Sequence, residues 1–272
     1  MAPIGIFDSG YGGLTVMKEI VNALPQYDFI YLGDNARSPY GPRSFETVHK
    51  YTLQAVNWFF DQGCSLVLLA CNTASAKALR TIQQTDLPLI TPEKKVLGVI
   101  RPVTEEIGKY SKTKHIGVFG TAGTIKSQSY SIEIAKFYPE IHITQEACPM
   151  WVPLVENGEF DCDGADYFVS KHINNILEAD PLIDAIILGC THYPLLMNKI
   201  RRFLPKHIQI ISQAEIVANS LIDYLKRHPE IDLNCSKNAI QLFYTTDSEE
   251  IFNRQASMFF GKNIDAGRIL LS

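Results

Sequence analysis

The sequence predicts an α/β fold of two similar lobes, each with a mostly parallel sheet flanked by helices. Three observations lead there. Short apolar runs alternate with helical patterns, as in βαβ units. The stretch IGIFDS at residues 4–9 is echoed by IGVFGT at residues 116–121, and the run LVLLAC at residues 66–71 is echoed by IILGC at residues 186–190. Repetition on that scale implies two lobes and not a solenoid.

Taken in order, Ile4 to Phe7 is a strand that ends in Asp8-Ser9, followed by Gly10, Gly12 and Gly13 and a helix patterned through Leu14, Met17, Ile20, Val21 and Leu24. The glycine spacing does not match a dinucleotide fingerprint, so the expectation is a backbone that closely approaches a small ligand. Phe29 to Leu32 is a second strand, and GDNARSPYGPRS after it is a candidate lid carrying Tyr40 and Gly41. A helix is expected over residues 45–62, then the Leu66 strand and a helix through Lys77 and Leu79. The proline-bearing stretch 85–102 reads as a crossing between lobes with one short strand at residues 96–100. In the second half, strands are expected at residues 116–121, 141–146 and 186–190. Asp161, Asp163, Gly164 and Asp166 read as a solvated turn or helix start and not a calcium loop. The tail adds a strand from Gln209, a helix over 214–226, a strand near 240–244 and a last helix. The first lobe is expected to comprise residues 1–97 and 211–272, and the second residues 98–210.

Composition narrows the function. With 272 residues, 46% of them hydrophobic, the chain can bury a large core, and a net charge of -4 with scattered Lys and Arg gives no footprint for nucleic acid or an anionic membrane. No transmembrane run or secretory leader is recognisable, and the six cysteines include no C-x-x-C. A reduced, cytoplasmic protein is the expectation. Cys64, Cys148, Cys162 and Cys235 then read as packing or surface residues.

Cys71 and Cys190 differ from those four because each ends a buried strand where small polar residues open a helix. Ligands of open parallel sheets bind beyond the carboxyl ends of the strands, where helix N-termini offer N–H donors to an anion. A free thiol titrates near pH 8.5, so it can move a proton at near-neutral pH. One such thiol on each lobe places the active site in the cleft between them. That arrangement suits inversion of a carbon centre, one base removing a proton from one face and an acid delivering another to the opposite face. Charge building on a substrate carboxylate needs donors, and Ser9, Asn72, Thr73 and Thr191 are of the right type. Asp8 and His192 stand where each could assist a cysteine. For His192, a hydrogen-bonding role at a helix start is the competing reading.

Together DSGYGGLTV, GDNARSPYG, ACNTAS, GTAGTIKSQSY, CPMWVPLVENGE and GCTHYPLL resemble the glutamate racemases of the cofactor-independent aspartate/glutamate racemase superfamily, over nearly the whole chain. The resemblance implies interconversion of L- and D-glutamate without cofactor or metal, supplying D-glutamate for bacterial peptidoglycan, by a homodimer. It implies that Cys71 and Cys190 transfer the proton and that Asp8, Glu156 and His192 are auxiliary acid/base groups. Substrate contacts are implied for Asp8, Ser9, Tyr40, Gly41, Asn72, Thr73, Thr121, Thr124, Thr191 and His192. The first cysteine is expected to face D-glutamate and the second L-glutamate. Tyr11, Arg101 and Ser212-Gln213 depart from the usual pattern. The chain opens directly on its first strand, so activation through an N-terminal extension is not expected. The alternatives are an aspartate or hydantoin racemase, which would use the same thiols, and a cytoplasmic two-lobe protein that binds a small ligand. A third is a zinc site built from Cys71, Cys190, His192 and Asp8.

Overall fold

A computed structural model describes residues 1–271, and it divides into two compact units. The first is Met1–Val99 together with the segment from Ala214 onward, and the second is Ile100–Gln213.

The first unit is built on strands β1 (Ile4–Asp8), β2 (Phe29–Gly33), β3 (Leu66–Leu69), β4 (Lys95–Gly98), β9 (Gln241–Thr245) and β10 (Ala266–Arg268). They lie in the order β10-β9-β2-β1-β3-β4 with every pairing parallel. Parallel strands covered on both faces read as continuous apolar runs, and β1, β2 and β3 are buried throughout. After β2 the chain crosses to the other side of β1 to lay down β3. The β1–β3 boundary is therefore a topological switch point, the place where such sheets bind ligands.

Helices cover this sheet through single apolar stripes. Helix α1 (Gly13–Ala23) buries Leu14, Met17, Ile20 and Val21, spaced to share one face. Helix α2 (Phe45–Asp61) starts at Ser44, whose Oγ accepts the Thr47 N–H at 3.1 Å. It buries Val48, Val56 and Phe59 against Phe7, Leu32 and Leu69. A Cβ on Gly5 would stand 2.7 Å from the Phe59 ring, so the glycine lets α2 close on β1.

The second unit contains β5 (His115–Gly120), β6 (His142–Ala147), β7 (Ala185–Gly189) and β8 (Gln209–Ile211), ordered β6-β5-β7-β8 and again all parallel. Its chain also steps from one side of its first strand to the other, so β5–β7 repeats the β1–β3 relationship. The long helix Asp163–Ala179 begins within the acidic stretch, in keeping with a helix start there.

Three expectations change. Residues 82–90 are not an open crossing: a π-helical turn, Ile82–Asp86, continues without a break into a helix Leu87–Ile90, and Pro88, which lacks an N–H, stands directly after the wider turn. The short strand there is β4, shifted to Lys95–Gly98 and paired with β3. The tail contains an additional strand, β10, three residues long and without the apolar run that would mark it.

The departures from pattern have structural partners. Tyr11 stacks on Phe252 and Phe259 at 5.5 and 5.9 Å, Arg101 pairs with Glu105 at 2.8 Å, and the Gln213 amide donates to the Tyr130 hydroxyl.

Candidate active site

In the first unit the candidate residues gather where β1 and β3 end. The Ala70 and Cys71 N–H groups both donate to the Phe7 carbonyl, at 2.8 and 3.4 Å, which seats Cys71 beside the end of β1. Extended backbone at Cys71 then opens helix α3 (Asn72–Lys77), and its Sγ caps the helix by accepting the Ala74 N–H at 3.4 Å. Ser9 Oγ lies 3.4 Å from the same sulfur. Asp8, Ser9, Asn72 and Thr73 are all buried, and Cys71 is 5% exposed.

Asp8 accepts the Gly10 N–H on Oδ1 at 2.9 Å. A Cβ on Gly13 would fall 2.6 Å from the Asp8 Cβ and 3.0 Å from the Ala70 Cβ, so the residue type lets α1 start against the two strand ends. The close approach that Gly13 allows is thus to the protein's own carboxylate-bearing side chain.

The Tyr40 loop is anchored instead of hanging free. Tyr40 is 1% exposed, and its hydroxyl donates to Oδ2 of the buried Asp34. Arg37 Nε also donates to that oxygen at 2.7 Å, and Thr246 Oγ1 donates to Oδ1 at 2.9 Å. Burial and the Asp34 charge both push the Tyr40 hydroxyl pKa far up, so it remains a donor. Gly41 follows at partial exposure. Sequence reasoning missed Asp34 and Thr246. Asp34 was findable as an acid directly after a buried strand inside the GDNARSPY motif, whereas nothing in the sequence links it to Thr246, more than two hundred residues away.

In the second unit a thiol, an imidazole and a carboxylate make successive contacts. Cys190 follows β7 and is 6% exposed. Its Sγ stands 3.9 Å from Nδ1 of His192, and the ring's Nε2 is 3.0 Å from Oε1 of Glu156. Glu156 ends the helix Trp151–Glu156, which is held by the fully buried Trp151 packed on Phe119 and Tyr193 at 5.0 and 4.8 Å. Burial alone would lower the His192 pKa, but its contacts with Cys190 and Glu156 outweigh that and push it up to about 10. At neutral pH a protonated ring therefore faces the sulfur on one side and the carboxylate on the other. His192 also precedes the 3-10 turn Tyr193–Leu196, yet its side chain makes no capping bond there, and its ring contacts are to Cys190 and Glu156.

Thr121 starts the helix Ala122–Lys126 after β5, with Oγ1 accepting the Thr124 N–H at 3.2 Å and lying 3.1 Å from Thr124 Oγ1. Thr191, buried, sits between Cys190 and His192. Each unit thus carries a buried thiol just past the strand adjoining its first strand.

Fold and site together define an α/β protein with a buried thiol at topologically equivalent positions of its two units. The chain belongs to the Asp/Glu/Hydantoin racemase family, whose model matches residues 4–221. It is 39% identical over 271 residues to a glutamate racemase of Sulfurihydrogenibium sp. (strain YO3AOP1), covering 99% of this chain and 98% of that one. Among solved structures, a glutamate racemase isoform from Bacillus anthracis superposes with a TM-score of 0.89 at 35% identity, covering 99% and 98% of the two chains. Glutamate racemase from Francisella tularensis in complex with D-glutamate gives a TM-score of 0.88 at 30% identity, covering 100% of this chain and 98% of that one.

Proposed function

We propose that this racemase acts on glutamate, interconverting the L and D enantiomers by two-base proton transfer. The observation that carries the reading is the pair of equivalent thiols, Cys71 beside Ser9 and Cys190 in line with His192 and Glu156. The glutamate racemases matched over nearly their full length support the substrate, in preference to aspartate or a hydantoin.

In the forward direction Cys190 as thiolate removes the α-proton of L-glutamate and Cys71 as thiol delivers another to the opposite face; the reverse exchanges the roles. A turnover of about 10 per second allows a barrier of only about 16 kcal/mol, so the negative charge developing at the α-carbon must be met by hydrogen bonds to the substrate carboxylate. Ser9, Asn72, Thr73, Thr121, Thr124 and Thr191 are the proposed donors. The His192 imidazolium supports the Cys190 thiolate by charge, and Glu156 orients the ring. Asp8 is the corresponding auxiliary group for Cys71. Tyr40 and Gly41 complete the substrate contacts, with the Tyr40 ring held by Asp34.

The thiols supply both acid and base, so the reaction proceeds without cofactor. The product D-glutamate would feed peptidoglycan synthesis in the cytoplasm, a placement that suits six cysteines in the thiol form. A homodimer is the assembly that the family resemblance suggests, and light scattering on the purified chain decides it. The substrate test is circular dichroism of single enantiomers of glutamate, aspartate and glutamine incubated with the enzyme. Loss of optical activity with glutamate is expected; loss with aspartate alone would overturn the assignment. Dialysis against a chelator should leave the rate unchanged.

A further inference from the structure

At the other end of the second sheet, away from Cys190, three metal-ligating side chains converge. His115 opens β5 and His142 opens β6, and the two are direct partners in the parallel ladder, so their rings lie side by side with centroids 5.1 Å apart. Asp180 follows the helix Asp163–Ala179 and turns its carboxylate toward both. Its Oδ2 is 2.9 Å from His115 Nδ1 and 3.8 Å from His142 Nε2, and one donor atom from each residue lies within 4.8 Å of the others.

The carboxylate is held by more than the histidines. Asp180 is 5% exposed, its Oδ1 accepts the Leu182 N–H at 3.0 Å, and Thr144 Oγ1 donates to Oδ2 at 3.2 Å. The approach to β5 is equally fixed, because Asp184 accepts from the Lys112 and Thr113 N–H groups at 2.7 and 3.0 Å. An ordinary ion pair accounts for His115 and Asp180. It leaves His142 aligned with the pair but at 3.8 Å, beyond hydrogen-bond reach of Oδ2.

We infer that His115, His142 and Asp180 form a binding site for a borderline divalent cation of the zinc class. Two imidazoles and one carboxylate are a known donor set for such ions, with metal–ligand bonds of about 2.0–2.2 Å. Tetrahedral coordination would set neighbouring donors about 3.3 Å apart. The spacings from Asp180 Oδ2, 2.9 and 3.8 Å, bracket that value, and inward rotation of the exposed His142 ring would close the longer one around the buried carboxylate. Water would supply the fourth ligand. The ion would tie the starts of β5 and β6 to the end of the long helix, ~17 Å along the strand from the thiol end. Its effect is on the stability of this unit and not on proton transfer.

The test uses the purified full chain, stripped with chelator and titrated with cobalt chloride by visible absorption and with zinc chloride by calorimetry. One ion per chain should bind, with cobalt ligand-field bands but no sulfur-to-cobalt charge transfer, and zinc should raise the thermal midpoint. His142→Ala should weaken binding at least about a hundredfold and abolish the thermal shift while racemisation is unchanged. Asp180→Asn, if it folds, should bind weakly as well. Unaltered binding in His142→Ala, a sulfur charge-transfer band, or no binding up to millimolar metal would overturn the inference.

Discussion

His192 sits between a thiol and a carboxylate, so its ionisation is set by those two partners and not by its ordinary value near 6.5. With its folded-state pKa raised to about 10, the stability it contributes is fully present below about pH 6.5. That contribution declines as the pH rises and is lost through about pH 10. The stability gap between the wild type and His192→Asn, followed by denaturation, should accordingly be largest near pH 6 and shrink toward pH 10. In the rate profile, no limb near pH 6.5 should belong to this ring, and Glu156→Gln should bring its titration, read by NMR, downward. Replacing either proposed base has a larger effect. Cys71→Ala and Cys190→Ala should each lower racemisation by at least about 10²–10⁴-fold with unchanged circular dichroism in the amide region. Cys64→Ala should leave turnover intact, since that thiol is buried in the core cluster with its pKa pushed up to about 12 by burial. The cysteines and the histidine were legible in the sequence because each stands at the end of an apolar run. The Cys190–His192–Glu156 alignment was less so: Glu156 is thirty-odd residues away, and only the packing of Trp151 on Phe119 and Tyr193 brings its helix to the ring.

Among the elements, the strand-to-helix turns do the positioning. Gly13→Ala would drive a methyl group into the Asp8 and Ala70 side chains, and since both belong to strand ends the helix must move. We expect a loss of about 1–3 kcal/mol in urea denaturation, together with reduced turnover. Asp34→Ala tests the anchored loop. It leaves the Tyr40 and Thr246 hydroxyls without their buried acceptor, at a cost of about 1–3 kcal/mol each, and should raise KM more than it lowers kcat if the loop contributes substrate contacts. Most elements could be read from period and punctuation: β1 to β3 are unbroken apolar runs, and α1 and α2 carry strong helical patterns bounded by glycine or serine. The segment at residues 82–90 could not, because a proline accommodated beside a π-helical turn has the same local signal as proline in a loop. The three-residue β10 is held by pairing with β9, a long-range contact that leaves no local pattern.

At the scale of the molecule, both units repeat one plan: a first strand, a second strand on one side of it, a third on the other, and a thiol just past the third. The internal echo in the sequence made that plan readable without coordinates, since IGIFDS and IGVFGT are the two first strands and the cysteine runs are the two third strands. The metal-ligating cluster was not readable in the same way. His115 and His142 are far apart in sequence and become neighbours only through the β5–β6 register. The central claim is that each thiol serves one face of the substrate carbon, and isotope flow tests it most directly. Racemisation of L-glutamate is run in deuterated water to low conversion, and deuterium at the α-carbon of both enantiomers is measured. A monoprotic thiolate keeps the protium it removes on the starting face, whereas the opposite thiol, exchanged with solvent, delivers deuterium. The account predicts D-glutamate labelled from the first turnover and residual L-glutamate still largely protiated; protium-rich D-glutamate would contradict it.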